Sequence, residues 1–393
     1  MMRKTVRVCT PRYLQIGEGS VSCLPDILSA IGKISSPLII TDKTMVELGH
    51  VAKVQSALIN QGIACGIFDE TVPDPTDEVV LAALSKLEAG KHDCVIGVGG
   101  GSPIDTAKAV AVMSRYSRDI FDYRPPAEFN EPGLPMIAVP TTAGTGSEVT
   151  HHTVLVHAAT REKISCRGEA FVPTAAIVDY DFTLSKPKRL TADNALDTLT
   201  HGIEAYISQK RSMYSDRMAL DCMRLVGKLL DRAYADGGDR EAREGLMFAA
   251  TLGGLAFSNA SICLVHAMSR PLGGLFHVPH GLSNAMLLPM VTEFSLESAT
   301  PRYADCGRAI GFASTGDDDQ TAARKLVQGL YAYNKNLEVP SIEAFGIDRR
   351  EFENALGQMA EDALRSGAPN LNPRVPTKDE IIDLYRQAWS TAS

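Results

Sequence analysis

Up to about Asp181, short apolar runs alternate with stretches of helical spacing. Beyond it the strand signals fade, and this change of period constrains the fold more than any other feature of the chain. Pro37-Leu-Ile-Ile-Thr41, Cys94-Val-Ile-Gly-Val98, Met136-Ile-Ala-Val139 and Ala175-Ala-Ile-Val178 read as buried parallel strands. Between them, Met45 to Gln61, Glu78 to Glu88 and Pro103 to Ser114 carry helix spacing. Such alternation builds a sheet covered on both faces, with ligands at the carboxyl ends of its strands. Downstream, Thr191 to Ser208, Ser215 to Ala235, Arg240 to Phe257, Asn259 to Met268, Gly281 to Phe294, Thr321 to Tyr333, Arg349 to Arg365 and Lys378 to Thr391 all suit helices. At 393 residues the chain exceeds the size at which one core usually stops growing. The expectation is an α/β N-terminal domain with a parallel sheet over residues 1–184 and an all-α C-terminal domain over 185–393. The join falls near Thr183-Leu-Ser-Lys-Pro-Lys188, where a proline and turn formers interrupt both patterns.

A net charge of −8 argues against a nucleic-acid or anionic-membrane surface, each of which needs a basic face. No apolar core of signal-peptide length precedes Pro11 and Arg12, and no apolar stretch approaches the roughly 20 residues that span a bilayer. A cytoplasmic protein is expected, with small molecules and copies of itself as partners. The eight cysteines are scattered, with no Cys-x-x-Cys pair, as reduced and mostly buried thiols would be.

Gly97-Val-Gly-Gly-Gly-Ser102 joins the Cys94 strand to a helix, with Pro103 in its first turn. Glycines at Gly99, Gly100 and Gly101 let backbone approach a pyrophosphate, and the helix start offers free N–H groups. Alone, the same residues are compatible with a plain tight turn. The acidic residue of the usual dinucleotide fingerprint follows its glycines by about 20 residues. Here the candidate ribose ligand, Asp42, precedes them at the end of the Leu38 strand, and it also suits a helix N-cap. A carboxylate there would repel the extra phosphate of NADP, so NAD is the expected cofactor. Pro140-Thr-Thr-Ala-Gly-Thr-Gly-Ser-Glu148 is a second turn rich in small donors, including Thr141, Thr142 and Thr145.

Asp197 and His201 stand four apart in a helical stretch and so share one face; His266 and His280 come from segments further on. Three imidazoles and one carboxylate suit Fe²⁺ or Zn²⁺ with room for a substrate oxygen. Taken singly, each histidine is more often a packed or surface residue than a ligand; the case rests on the set.

From Asp42 through the two turns to His280, nearly the whole chain resembles the iron-containing (group III) alcohol dehydrogenases, whose fold is shared with glycerol dehydrogenase and dehydroquinate synthase. The resemblance implies that Asp197, His201, His266 and His280 hold the metal. It also implies that Gly100, Gly101, Ser102, Thr141, Thr142 and Lys163 lie along NAD, with Asp42 at the adenosine ribose and Asp105 near the nicotinamide. It further implies hydride transfer between NAD(H) and a small alcohol or aldehyde, and a homodimer or larger homo-oligomer. Two departures stand out. Many relatives have histidine where this chain has Arg270, and that histidine is often given a part in proton transfer; arginine cannot act as a base, so His277 is the candidate for the relay. Arg270 could instead clamp an acidic group of a hydroxy acid or semialdehyde, or pair with a protein acid and only shape the pocket wall. Val72-Pro-Asp-Pro75 has Asp where several relatives have Asn. A maleylacetate reductase-like enzyme, a lyase of the dehydroquinate synthase type and a non-enzymatic binding protein are the alternative readings.

Overall fold

The computed structural model describes residues 5–390. Two compact units result: residues 9–186, and residues 187–390 together with 5–8.

The first unit is built on eight strands: β1 (Tyr13–Ile16), β2 (Pro37–Ile40), β3 (Gly66–Phe68), β4 (Cys94–Gly99), β5 (Met136–Pro140), β6 (His152–Val156), β7 (Lys163–Arg167) and β8 (Ala175–Val178). Six form a sheet in the order β1-β8-β5-β4-β2-β3, every pair parallel. Strands β2, β4, β5 and β8 are buried along their whole length, as their unbroken apolar runs require. Successive residues feed opposite faces: Leu38, Ile40, Val95 and Ala138 pack in one cluster, while Ile39, Ile96, Val98 and Ile137 pack in the other. Helices α1 (Leu24–Ile31), α2 (Lys43–Glu47), α3 (His50–Ile59), α4 (Asp77–Ala89) and α5 (Gly101–Met113) complete the unit. The chain runs from β2 outward to β3, then returns on the other side of β2 to form β4. The strand order therefore reverses between β2 and β4, the place where sheets of this kind bind ligands.

The second unit is helical: α6 (Lys188–Ile207), α7 (Met213–Ala235), α8 (Arg240–Ser258), α9 (Leu264–Phe276), α10 (His280–Ser295), α11 (Thr300–Ile310), α12 (Asp319–Asn336), α13 (Arg349–Arg365) and α14 (Lys378–Ser390). Helix α6 is its centre, packed by α7, α8 and α10 and buried over most of its surface.

Several sequence expectations need correction. Met45 to Gln61 is two helices, because Gly49 takes a left-handed φ of 73° and breaks the first before α3 begins. Asn259 to Met268 is not one helix either: Asn259 ends α8, Ser261 has φ 118°, and α9 starts only at Leu264, continuing through Pro271 to Phe276. Helices α1 and α11, the two outer strands and the antiparallel β6–β7 pair carried no sufficient periodic signal. Thr391, the expected end of the last helix, lies outside the described residues. All eight cysteines are free thiols, five of them buried.

Candidate active site

At the strand-order reversal, β2 delivers Asp42 and β4 delivers the glycine turn. Asp42 Oδ1 accepts the N–H of Met45 at 2.9 Å and so caps α2. Gly99 has φ 153°, and a Cβ there would lie 2.5 Å from Pro103 Cγ, so the turn admits no side chain at this point. Gly100 is the N-cap of α5 and supplies no side-chain hydrogen bond, whereas α2 and α4 are capped by Asp42 and Thr76. The first N–H groups of α5 are therefore left to a ligand or solvent, with the positive end of the helix behind them.

The second turn follows β5 and packs directly on the first: Gly99 pairs in register with Pro140, and Cβ atoms on Gly100 and Gly101 would meet Thr142 Cγ2 at 3.4 Å and Thr145 Cγ2 at 3.2 Å. Thr142 Oγ1 is buried with no hydrogen-bond partner among the described residues, which fits a cradle completed by a bound polar group. Asp105 underlies this turn. Its carboxylate accepts Ser147 Oγ at 2.6 Å and Val154 N at 2.9 Å, and its backbone carbonyl accepts Thr153 Oγ1 at 2.8 Å. Burial pushes this carboxyl up, against the pull of Lys108. Lys108 is itself buried and donates to Thr150 O, Thr150 Oγ1 and His152 O at 2.8–2.9 Å. Desolvation brings its ammonium down to about 8, opposed by Asp105 and Glu148. Lys163, at the start of β7, pairs with Asp74 at 2.7 Å. Ser102 lies in the first turn of α5.

In the second unit, Asp197 and His201 project from one face of α6, His266 comes from the first turn of α9, and His280 is the first residue of α10. Asp197 Oδ1 lies 3.7, 3.6 and 3.7 Å from the Nε2 atoms of His201, His266 and His280. A tetrahedral cation with bonds of roughly 2.0–2.2 Å separates its ligand atoms by roughly 3.3–3.6 Å, so the donor set fits a divalent metal in its chemistry and the separations from Asp197 Oδ1 come close to that spacing. Asp197, His201 and His266 are buried, with ligand atoms all within 4.8 Å of one another; the His280 side chain is half-exposed. Burial favours a neutral Asp197 carboxyl, but His201, His280 and His266 outweigh it and hold the group well below the usual carboxylate range. Gly281 lets α10 begin this close to α6, since a Cβ there would sit 2.5 Å from Asp193 O.

Two neighbours of this cluster went unnoticed in the sequence. The Glu204 carboxylate lies 2.7 Å from His266 Nδ1 and accepts the N–H groups of Cys263 and Val265 at 2.8 and 2.6 Å. Burial pulls the His266 imidazole down, yet Glu204 and Asp197 outweigh it and raise it to about 9. Asn284, one turn after His280 on α10, donates to Asp197 Oδ1 at 2.7 Å. Glu204 has a signal in hindsight: it falls seven residues after Asp197, on the same helical face. Arg270 lies on α9 one turn beyond His266, partly buried. His277 is exposed and ends α9 in the left-handed conformation, φ 56°.

Comparison with known proteins agrees with this architecture along both units. A crystal structure of 1,3-propanediol oxidoreductase superposes with a TM-score of 0.94 at 33% identity, covering 98% of this chain and all of that one. A sulfoacetaldehyde reductase from Bifidobacterium kashiwanohense, solved in complex with NAD+, does so at 0.87 and 27% identity, covering 99% and 100%. The lactaldehyde reductase of Escherichia coli (strain K12) is 34% identical over 376 residues, 95% of this chain and 97% of its own. Residues 11–180 match the iron-containing alcohol dehydrogenase family and residues 191–389 the C-terminal part of the Fe-containing alcohol dehydrogenase family. The chain belongs to the iron-containing alcohol dehydrogenase family.

Proposed function

We propose that this NAD-dependent oxidoreductase interconverts a small alcohol and its aldehyde or ketone. In this reading a divalent cation sits on Asp197, His201, His266 and His280, and NAD on Asp42, the Gly99–Ser102 turn, Thr141, Thr142, Thr145 and Lys163. The observation that carries the reading is the convergence of three imidazole nitrogens on one buried carboxylate oxygen at 3.6–3.7 Å. Bound there, Fe²⁺, the ion the family is known for, or Zn²⁺ supplies a Lewis acid for the substrate oxygen, while NAD accepts or returns the hydride.

The chain's own residues do the rest. Asp197 brings the negative charge that retains the cation, and Glu204 and Asn284 orient its ligands. Asp105 braces the second turn through Ser147 and Val154, so its part is positioning rather than proton transfer. Asp42 keeps its second carboxylate oxygen for ribose hydroxyls and thereby favours NAD over NADP. The proton released from the alcohol leaves through His277 and solvent, because Arg270 cannot accept it. A cytoplasmic homo-oligomer remains the expected setting; among the described residues no helix is long and apolar enough to cross a membrane.

Chelating the metal and then restoring Fe²⁺ or Zn²⁺, while following NADH absorbance, tests the reading. Activity should vanish and return with the ion; undiminished turnover in the metal-free protein overturns it. Net NADH formation during turnover also excludes a lyase that uses NAD only transiently.

A second reading concerns the substrate. Arg270 on the helix of His266, together with the likeness to a sulfoacetaldehyde reductase, favours a substrate that carries an acidic group. Comparing kcat/KM for butanol and 4-hydroxybutyrate in wild type and Arg270→Ala separates the two: loss confined to the acid supports a clamp, and equal loss assigns Arg270 to shaping the pocket wall.

A further inference from the structure

Resting on the reading of the second unit as a metal centre, we propose that Glu204 is a positioning residue that couples cation binding to the docking of the first turn of α9. Glu204 is 1% exposed on α6, on the face that carries Asp197 and His201. A carboxyl group so buried needs hydrogen-bond partners for its oxygens. The short contacts that supply them come from three residues of one short segment, Cys263, Val265 and His266: Oε2 faces His266 Nδ1 at 2.7 Å and accepts Cys263 N at 2.8 Å, while Oε1 accepts Val265 N at 2.6 Å.

Two consequences follow from the same carboxylate. First, α9 has no cap of its own, since Cys263 at its N-cap makes no side-chain hydrogen bond; Glu204 caps it from a different helix and meets the positive end of its dipole. This explains why α9 begins at Leu264, after the left-handed Ser261, and not where the apolar pattern starts. Secondly, the contact holds a proton on Nδ1, so Nε2, 3.6 Å from Asp197 Oδ1, is the nitrogen left to meet a cation.

An imidazole that donates its Nε2 lone pair to a cation becomes a stronger N–H donor at Nδ1. Its hydrogen bond to Glu204 therefore strengthens when the site is loaded. By linkage, whatever the cation gives to this contact, the contact gives back to cation affinity. The first turn of α9 should thus be held more firmly in the metal-loaded protein, and with it the helix that carries Arg270.

Co²⁺ is a suitable probe because its d–d absorption reports ligand geometry. In the full-length wild type, Co²⁺ should slow hydrogen exchange at the Cys263 and Val265 amides. Glu204→Gln should bind Co²⁺ about 10–100-fold more weakly, with a shifted d–d band and no metal-dependent protection at those amides, and should keep wild-type NAD affinity. Glu204→Asp, which retains the charge at a shorter reach, should recover part of the affinity. Wild-type protection that is the same with and without Co²⁺ overturns the coupling, as does a Glu204→Gln protein that binds Co²⁺ within twofold of wild type with an unshifted band. If Glu204→Gln does not fold, the wild-type exchange comparison decides alone. A wild type that binds no Co²⁺ sinks the metal-centre reading itself, an outcome distinct from binding without coupling.

Discussion

The turn after β4 and the middle of α6 each present a place for a charged group, and they do so with different materials. The turn offers mainly backbone: uncapped N–H groups at the start of α5, a glycine at position 99 that admits no Cβ, and a buried Thr142 hydroxyl with no partner among the described residues. The helix offers two buried side chains set four residues apart, Asp197 and His201, with Glu204 and Asn284 bracing the cluster they belong to. A site made of backbone fails when a side chain is added, and a site made of side chains fails when one is removed.

The largest effect should come from removal at the side-chain site. Asp197 Oδ1 is the atom that His201, His266, His280 and Asn284 all face. Asp197→Ala takes away the charge and the common contact together. Bound metal should be lost on dialysis, and kcat/KM should fall roughly a thousandfold or more, the equivalent of several kcal/mol of Lewis-acid stabilisation. NAD affinity should stay at the wild-type level. Metal analysis, NADH formation and an NAD titration on one preparation check all three; retained activity without metal would break the comparison.

Addition at the backbone site should do the converse. Gly99→Ala puts a Cβ 2.5 Å from Pro103 Cγ at φ 153°, a conformation that costs a side chain about 1–3 kcal/mol. The turn must move to accept it, so NAD binding should weaken about tenfold or more while metal content is unchanged. Isothermal titration with NAD and metal analysis give the readout. A variant that lost metal but kept NAD affinity would reverse the assignment of the two sites.

These two regions also differ in how far the sequence revealed them. Strands β2, β4, β5 and β8 were legible because a strand buried on both faces is an unbroken apolar run, and the glycine turn is visible as composition. The pair β6–β7 was not, since its first strand, His152–Val156, is anchored by buried Lys108 and Asp105 of α5, and no local pattern records that anchoring. Of the candidate metal cluster, the i, i+4 pair was legible on a helix; His266 and His280 stood out by residue type, and the resemblance tied them to that pair. Glu204 was not, because a glutamate in a helical stretch reads as a surface charge until the burial of α6 is known. The start of α9 was misplaced for the same reason: the residue that fixes it lies 59 positions earlier.

Asp105 sharpens the comparison from inside the first unit. Its carboxylate is engaged by Ser147 and Val154, so Asp105→Asn should loosen the second turn by replacing one acceptor oxygen with a donor. Leaving such a buried group unsatisfied costs about 1–3 kcal/mol, part of which the turn recovers by shifting. A rise in KM for NAD of several-fold, up to about tenfold, with kcat less affected, is expected. A proton-transfer role would give the opposite split, a fall in kcat with KM for NAD unchanged, and steady-state kinetics at saturating alcohol distinguishes the two.

The smallest effect concerns the stability of the first unit in acid. The His50 ring is 4% exposed, packs edge-on against Phe182 and meets Ser185 Oγ at 3.3 Å. Desolvation, with the nearby Lys186 and Lys53, lowers it from 6.5 to about 4. The folded state therefore disfavours protonation that the unfolded chain accepts. The stability this confers is complete above about pH 6.5 and is lost as pH falls through about 4. His50→Gln can keep a polar contact to Ser185 and removes the titration. Between pH 6.5 and 4 it should lose less stability than wild type, by on the order of 1 kcal/mol once solvent screening of the lysines is allowed for. Acid also releases metal from imidazole ligands in the other unit, so the measurement is the difference between wild type and variant, both metal-free, in urea melts at several pH values. Parallel curves across that window would show that His50 does not set the acid limit of the first unit.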